Sequence, residues 1–222
     1  MTAVIVTTSA ERMPDGRATG AYASELAECW KELRDSGYDI AVASVRGGRI
    51  PVEARRLGDP IQDEFFDGLS GVPLADSSTV AGVGSDFDLV CVVGGHGAVL
   101  DLPQDADLQR LVETVQAQGG VVAAVCHGVA GLLGAIVDGR PMLQGRRVAA
   151  FTDEEERAVG MEGRVPFLLS TALRELGALH DVAPPFLPHV VVHDRIVTGQ
   201  NPASAGEVAR TAGRIAALPR EA

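Results

Sequence analysis

The stretch 121–133 reads VVAAVCHGVAGLL and joins three local signals in a short space. The apolar run 121–125 predicts a strand that is buried on both faces, as the strands of parallel sheets are. Cys126 follows where that strand ends, with Ala124 two residues before it and Gly128 two residues after it. Small residues at these two positions are typical of a nucleophile elbow, because strand and helix meet closely around a strained turn.

Similar apolar strands recur on both sides of this stretch, and helical patterns separate them. Strands are predicted at 3–8, 39–45, 87–95 and 147–151, with a hairpin over 189–199. Helices are predicted at 22–37, 105–120, 127–138 and 166–176, and a last helix begins near Asn201 and Pro202. This alternation predicts an α/β protein with a doubly wound, mostly parallel sheet and helices on both faces. Ligands of such folds bind beyond the carboxyl ends of the strands.

Length and composition restrict the class of protein. A chain of 222 residues suits one domain over 1–222, and the Gly-, Pro- and Asp-rich stretch 46–86 is interpreted as a loop-rich insertion. Against 19 basic residues stand 30 acidic ones, so the net charge of −11 argues against partners such as nucleic acid or an anionic membrane. A basic leader and a long apolar run are both missing, and the three cysteines are few and odd in number. A cytoplasmic protein with reduced thiols is therefore expected.

Cys126 is the strongest candidate for chemistry, although a small buried cysteine can also be mere packing. The backbone N–H groups and dipole at a helix start favour its thiolate over its thiol. His127 could assist the sulfur, but adjacent residues on a turn diverge, so its direction stays open. Cys29 and Cys91 lie within a predicted helix and a predicted strand, and both are interpreted as structural.

Other candidates are weaker by themselves. Glycines in the sequence GGHG, 94–97, let backbone amides approach a ligand as an oxyanion hole requires. Glu25 and the run 154–156 stand at helix starts, where carboxylates also complement the helix dipole, and Asp153 is the expected N-cap. The five histidines show no ligand spacing for a metal, so no metal and no cofactor is expected. Their positions are 96, 127, 180, 189 and 193.

Together these pieces resemble the ThiJ/PfpI superfamily, and more narrowly its glyoxalase III branch, which includes heat-shock chaperones. The resemblance runs in order along nearly the whole chain and implies a flavodoxin-like fold. The matching stretches are Gly20 to Glu25, GGHGAVLDLP (94–103), GGVVAAVCHG (119–128), LQGRRVAAFTDEEE (143–156), VPFLLSTALRELGA (165–178) and TGQNPAS (198–204). The chain departs from the usual pattern at Val129 and Ser170, and at 184–188, where PPFLP replaces a common tryptophan.

The resemblance implies a role for each matching residue. Cys126 is the implied nucleophile and His127 its partner, oriented by Glu156, or by Glu155 if the match shifts by one. Glu25 is the implied buried carboxyl that bonds the cysteine and moves protons, with a raised pKa if it is buried near the sulfur. The amides of Gly95 and His127 would form the oxyanion hole, and His96 would line the pocket.

The implied activity is a glutathione-independent glyoxalase, which belongs to the lyases as a D-lactate dehydratase. It converts a small 2-oxoaldehyde such as methylglyoxal into lactate through a cysteine hemithioacetal, as a homodimer without a cofactor. A protein deglycase or stress chaperone is the related alternative. A peptidase or amidotransferase fits less well, because the late stretch His193-Asp194-Arg195 has Arg where His-x-Glu is needed. A redox-sensing thiol also remains open.

Overall fold

A seven-stranded sheet forms the centre of the computed structural model, which describes residues 1–69 and 74–220. Its strands run from the edge in the order β6-β7-β5-β4-β1-β2-β3, and only β6 is antiparallel to its neighbour. The mostly parallel, doubly wound sheet is therefore confirmed. Its strands are β1 Thr2–Thr7, β2 Asp39–Ser44, β3 Ser78–Thr79, β4 Leu89–Val92, β5 Val121–Val125, β6 Val190–His193 and β7 Ile196–Gly199.

Helices cover both faces of the sheet, as the apolar strands require. On one face α1 packs against α7, and on the other α4 packs over β4 and β5. In α1, Leu26, Trp30 and Leu33 form the buried stripe. The helices are α1 Ala23–Asp35, α2 Pro60–Glu64, α3 Ala98–Asp101, α4 Ala106–Ala117, α5 Asp153–Ala158, α6 Leu169–Glu175 and α7 Ala205–Ala216.

Shorter elements complete the fold. One-turn 3₁₀ segments cover Val80–Gly82, Leu102–Gln104 and Pro202–Ser204, and a π-turn covers Phe65–Leu69. Small strand pairs join Ala21–Tyr22 to Val52–Glu53, Ile136–Val137 to Arg140–Pro141, and Arg147–Val148 to Leu179–His180. Among the described residues, no helix is both long and apolar enough to cross a membrane.

The predicted helix over 127–138 is wrong. A 3₁₀ helix covers Cys126–Leu132, and the rest of the stretch enters a hairpin between Ile136–Val137 and Arg140–Pro141. At its turn, Asp138 and Gly139 both have left-handed backbone, with φ of 52° and 74°. An Asp-Gly pair is a strong signal for such a turn, and it ends the helical pattern here.

The stretch 46–86 is not only an insertion of loops. Within its described part it contributes β3 to the edge of the main sheet, and the strand Val52–Glu53 to the region of the site. The remaining part, 70–73, lies outside the described residues.

Candidate active site

Cys126 lies on the predicted nucleophile elbow at the carboxyl end of β5. Its φ is 57°, an unusual value for a residue with a side chain. Gly128 packs so closely on β4 that a Cβ would collide with the carbonyl of Val92, and Ala124 is fully buried. The strained turn that the spacing predicts is therefore present, and it holds Cys126 with 3% of its surface exposed.

His127 turns back toward the sulfur, which settles the direction that spacing left open. Its Nδ1 lies 3.4 Å from Cys126 Sγ, and its Nε2 lies 2.7 Å from Glu156 Oε2. Because an ionised carboxylate only accepts, the imidazole proton sits on Nε2 and leaves Nδ1 free to accept from the thiol. Burial lowers the pKa of His127, so the ring is neutral and able to act as a base.

Glu156 is the carboxylate that this base requires. Burial opposes its ionisation, but hydrogen bonds from His127 and His96 outweigh burial and lower its pKa to about 2. It comes from α5, whose first turn is fixed by a capping box between Thr152 and Glu155. Thr152 is thus the N-cap, and the expectation of Asp153 as cap is wrong because Asp153 already lies in the helix.

Glu155 points away from the sulfur and belongs to a different network. Its Oε2 accepts from the backbone and hydroxyl of Thr152, both at 3.0 Å. Its Oε1 accepts from Phe186 N, Gln200 Nε2 and Asn201 Nδ2, at 2.8, 3.1 and 2.8 Å. The side-chain oxygen of Asn201 accepts from the Ser204 hydroxyl at 3.2 Å and makes no side-chain cap to a backbone N–H, although the first turn of the last helix does begin at Pro202. The structure thus favours Glu156 over Glu155 as the partner of His127.

Substitution of these neighbouring glutamates is expected to separate activity from stability. Glu156→Gln puts an amide N–H against a histidine N–H, so catalytic turnover should fall at least about 10²-fold with a folded protein. The two oxygens of Glu155 accept from five donors. In Glu155→Gln an NH2 group replaces one of these oxygens and leaves its donors without an acceptor, so the free energy of unfolding should fall by about 3 kcal/mol or more. Urea unfolding and steady-state rates of both variants check this; a stability loss confined to Glu156→Gln would contradict it.

Glu25 reaches the same sulfur from α1. It is fully buried, and its Oε2 accepts the N–H of Gly94 at 2.7 Å. A Cβ on Gly94 would lie 3.0 Å from both Cys126 Cβ and this Oε2, so the missing side chain lets the two groups meet. Burial raises the pKa of Glu25 to about 8, which confirms the predicted direction. Its Oε1 has no hydrogen-bond partner among the described residues, and the carboxyl group adjoins the Cys126 thiol.

Two opposing effects act on the pKa of the Cys126 thiol. Burial raises it, and the backbone N–H of His127 lowers it, as the sequence predicts for a helix start. Cys126 rests as a thiol and needs His127 to take its proton.

Gly95 has a backbone conformation and a close packing that only glycine allows. Its φ is 100°, and a side chain would collide with the carbonyl of Gly20. Within the described residues its N–H has no protein acceptor. The N–H of His127 faces the Cys126 sulfur. Both amides are thus without a carbonyl partner among the described residues.

His96 belongs to the hydrogen-bonded group around Glu156 and is not among the residues that line the cleft described below. Its Nε2 lies 2.9 Å from Glu156 Oε1, and its backbone N–H donates to Glu53 Oε1 at 2.9 Å. Its ring centroid lies 4.5 Å from that of His127. Burial opposes its protonation, but Glu156 and Glu53 outweigh burial and raise its pKa to about 9. Sequence reasoning missed Glu53, because nothing in the residues around it suggested a site.

Three side chains of this group lie close enough together to bind a metal ion. Ligand atoms of His96, His127 and Glu156 lie within 4.8 Å of one another, although their sequence spacing gives no such indication. These atoms are hydrogen-bonded to each other at 2.7 and 2.9 Å, so the cluster is satisfied as a proton network.

A cleft of about 310 Å³ lies beside this group. Tyr22 lines it, and its backbone N–H bonds the carbonyl of Gly94 next to the site. Cys126 is not among the lining residues, so the sulfur sits behind the cleft rather than in it. The other lining residues are Ser24, Glu28, Ala54, Arg56, Asp59, Gln62, Phe186, Asn201, Pro202 and Ala203.

Comparison with known proteins gives one consistent group of relatives. Residues 17–212 match the model of the DJ-1/PfpI family. The chain is 31% identical to a glutathione-independent glyoxalase, hsp3101, of Schizosaccharomyces pombe, over 91% of this chain and 89% of that one. It is 30% identical to glyoxalase 3 of Candida albicans, over 88% and 89% of the two chains.

Solved structures agree with these matches. The crystal structure of glyoxalase III from Candida albicans superposes with a TM-score of 0.86 at 27% identity, over 97% of both chains. The rapid encystment protein of 24 kDa from Francisella tularensis superposes with a TM-score of 0.91 at 30% identity, over 98% of this chain and 99% of that one. The similarity thus covers the whole arrangement of the sheet and its helices.

Proposed function

The chain belongs to the DJ-1/PfpI family, and on that premise we propose that it is a glutathione-independent glyoxalase. It converts methylglyoxal, or a similar small 2-oxoaldehyde, into the 2-hydroxy acid without a cofactor. The names of the relatives support this activity. The observation that carries it is that two separate proton-transfer groups contact the Cys126 sulfur. One is the base His127 with its partner Glu156, and the other is the protonated carboxyl of Glu25.

The first step forms the carbon–sulfur bond. His127 Nδ1 takes the proton of the Cys126 thiol, and the sulfur attacks the aldehyde carbon of the substrate. The N–H groups of Gly95 and His127 stabilise the negative charge that develops on the aldehyde oxygen. The product is a hemithioacetal on Cys126.

The second step moves hydrogen between adjacent carbons. Glu25 gives its proton to the hemithioacetal oxygen and becomes a carboxylate. That carboxylate removes the hydrogen from the former aldehyde carbon, and His127 returns the proton that it took from the thiol to the ketone oxygen, so an enediol forms. Protonation at the neighbouring carbon and loss of the oxygen-bound proton leave a 2-hydroxy thioester. A carboxyl whose pKa is about 8 suits both roles, because it exchanges protons readily near neutral pH.

The last step releases the acid. His127 activates a water molecule that attacks the thioester carbon, and the Cys126 sulfur leaves with a proton. Over the cycle one water is added to methylglyoxal and one lactate is formed. The enzyme returns to its resting thiol, so no redox partner is consumed.

The buried sulfur argues for a small substrate over the alternatives. A redox sensor needs an exposed thiol of low pKa, whereas Cys126 is 3% exposed and burial raises its pKa. A glutamine amidotransferase would need His193 near the sulfur, yet His193, on the edge strand β6, accepts from the backbone N–H of Arg147. A homodimer and a cytoplasmic location stay predictions.

Incubation with methylglyoxal alone tests the proposal. Without glutathione, the protein should form about one lactate per methylglyoxal consumed. Consumption of methylglyoxal without lactate would contradict the proposal and indicate mere modification of side chains. A chaperone would still suppress aggregation of a client protein as Cys126→Ala, so that variant separates the stress-chaperone alternative.

A further inference from the structure

A second carboxylate, Glu53, stands behind the catalytic group on the far side of His96. We propose that Glu53 and His96 are positioning residues that fix the orientation of Glu156 toward His127. The effect on catalysis rests on the proposed function. The contacts themselves link Glu53, His96 and Glu156, for which the family resemblance implies no common role. His96 was expected only to line the pocket, and Glu53 had no expected role.

Glu53 is held rigidly on two sides. It ends the short strand Val52–Glu53, which pairs with Ala21–Tyr22 immediately before α1. Its Oε2 accepts the hydroxyl of Thr19 at 2.9 Å, and its Oε1 accepts the backbone N–H of His96 at 2.9 Å. The same Oε1 lies 3.5 Å from His96 Nδ1. Glu53 therefore fixes both the backbone and the ring of His96.

His96 passes this constraint to Glu156. The two oxygens of Glu156 are divided between two rings, with Oε1 at 2.9 Å from His96 Nε2 and Oε2 at 2.7 Å from His127 Nε2. A carboxylate bound at both oxygens cannot rotate away from its base. If the bond to His96 is lost, one buried oxygen is left without a donor, and the carboxylate can turn.

Charge supports the same arrangement. The titratable groups that face His96 are Glu53 and Glu156, which bond it, and His127, whose ring it stacks against. With its pKa at about 9, His96 is a cation at neutral pH and loses its charge as the pH rises through that value. The positive charge of His96 neutralises one of the two negative charges on Glu53 and Glu156. Together with burial it also lowers the pKa of His127, so that His127 stays unprotonated and able to act as a base.

Two variants and one matched control test the proposal. Glu53→Gln removes the charge but keeps an acceptor for the His96 N–H, and His96→Gln removes the ring. Glu113→Gln is the control, because Glu113 likewise accepts one backbone N–H, that of Ile136, but lies on α4. Thermal unfolding of all three shows whether each variant folds.

The direct readout is NMR titration of the histidine rings, of which the chain has five. The His96 signal is identified by its absence in His96→Gln. In Glu53→Gln its pKa should fall by at least about one unit, because an opposite charge within 4 Å is removed. In the same variant kcat should fall at least about threefold with little change in KM, because Glu156 is less firmly oriented toward its base, while Glu113→Gln changes neither the His96 pKa nor kcat. In His96→Gln, kcat should fall roughly tenfold or more with little change in KM.

Two results would overturn the proposal. One is a His96 pKa that stays the same in Glu53→Gln, and the other is a His96 pKa that falls while kcat keeps its wild-type value. If wild-type protein forms no lactate, the proposed function fails by itself, and the titration alone then decides whether Glu53 holds His96.

Discussion

Replacement of Cys126 by alanine is expected to reduce lactate formation from methylglyoxal by roughly 10⁴-fold or more. The sulfur forms the covalent bond on which each later step depends, and no other thiol can replace it. Cys29 and Cys91 are fully buried in the packing between α1 and the sheet. The measurement is the initial rate of lactate formation without glutathione, at equal concentrations of wild type and variant.

Cys91→Ala is the matched control for this result. It also removes a buried sulfur, from within β4, but the partner of that sulfur is the thiol of Cys29. We expect it to lose about 1 kcal/mol of stability and to keep its turnover. Equal losses of activity in both variants would mean that the Cys126 effect is structural and would contradict nucleophilic catalysis.

Glu25→Gln should lose activity and gain stability at the same time. The amide keeps an acceptor for the N–H of Gly94, so the backbone there stays in place. It cannot exchange a proton with the hemithioacetal, and kcat should fall roughly 10³-fold. Initial rates of the folded variant measure this loss, and a rate within tenfold of wild type would exclude Glu25 as the group that moves the proton.

The gain in stability depends on pH in a defined direction. In the unfolded chain Glu25 ionises near its ordinary pKa of 4.5, whereas in the fold it keeps its proton up to about pH 8. Wild type therefore loses stability relative to Glu25→Gln across this window, by roughly 1.4 kcal/mol for each pH unit. Urea unfolding of both proteins at pH 5 and pH 8 checks it. A difference that stays constant between these pH values would show that Glu25 is not held protonated.

Local sequence pattern was enough to find the elbow. A buried strand, a cysteine and small residues at minus two and plus two carry their geometry with them, and Cys126 has the strained φ that they imply. Strand–helix alternation likewise predicted the parallel sheet. The partners Glu25 and Glu156 needed the family resemblance, because each is a carboxylate at a helix start, where a simpler explanation exists.

What the sequence did not predict depends on three-dimensional burial. The pattern at Cys126 predicted the helix start that favours its thiolate, but it could not show that burial raises the pKa of the same sulfur. Glu53 lies in a stretch without periodicity, and only the strand pair beside α1 brings it to His96. The helix expected after the elbow gave way to the Asp138-Gly139 turn, a local signal that the apolar pattern around it concealed.

Cys126 and Glu25 are proposed to act in different steps. Mass spectrometry of Glu25→Gln after incubation with methylglyoxal, on the intact protein and on its peptides, tests this most directly. The first step needs only Cys126 and His127, whereas the second needs Glu25. We predict that the variant gains the mass of one methylglyoxal on the peptide containing Cys126 and releases almost no lactate. A variant that releases lactate at the wild-type rate, or that forms no adduct on Cys126, would contradict this mechanism.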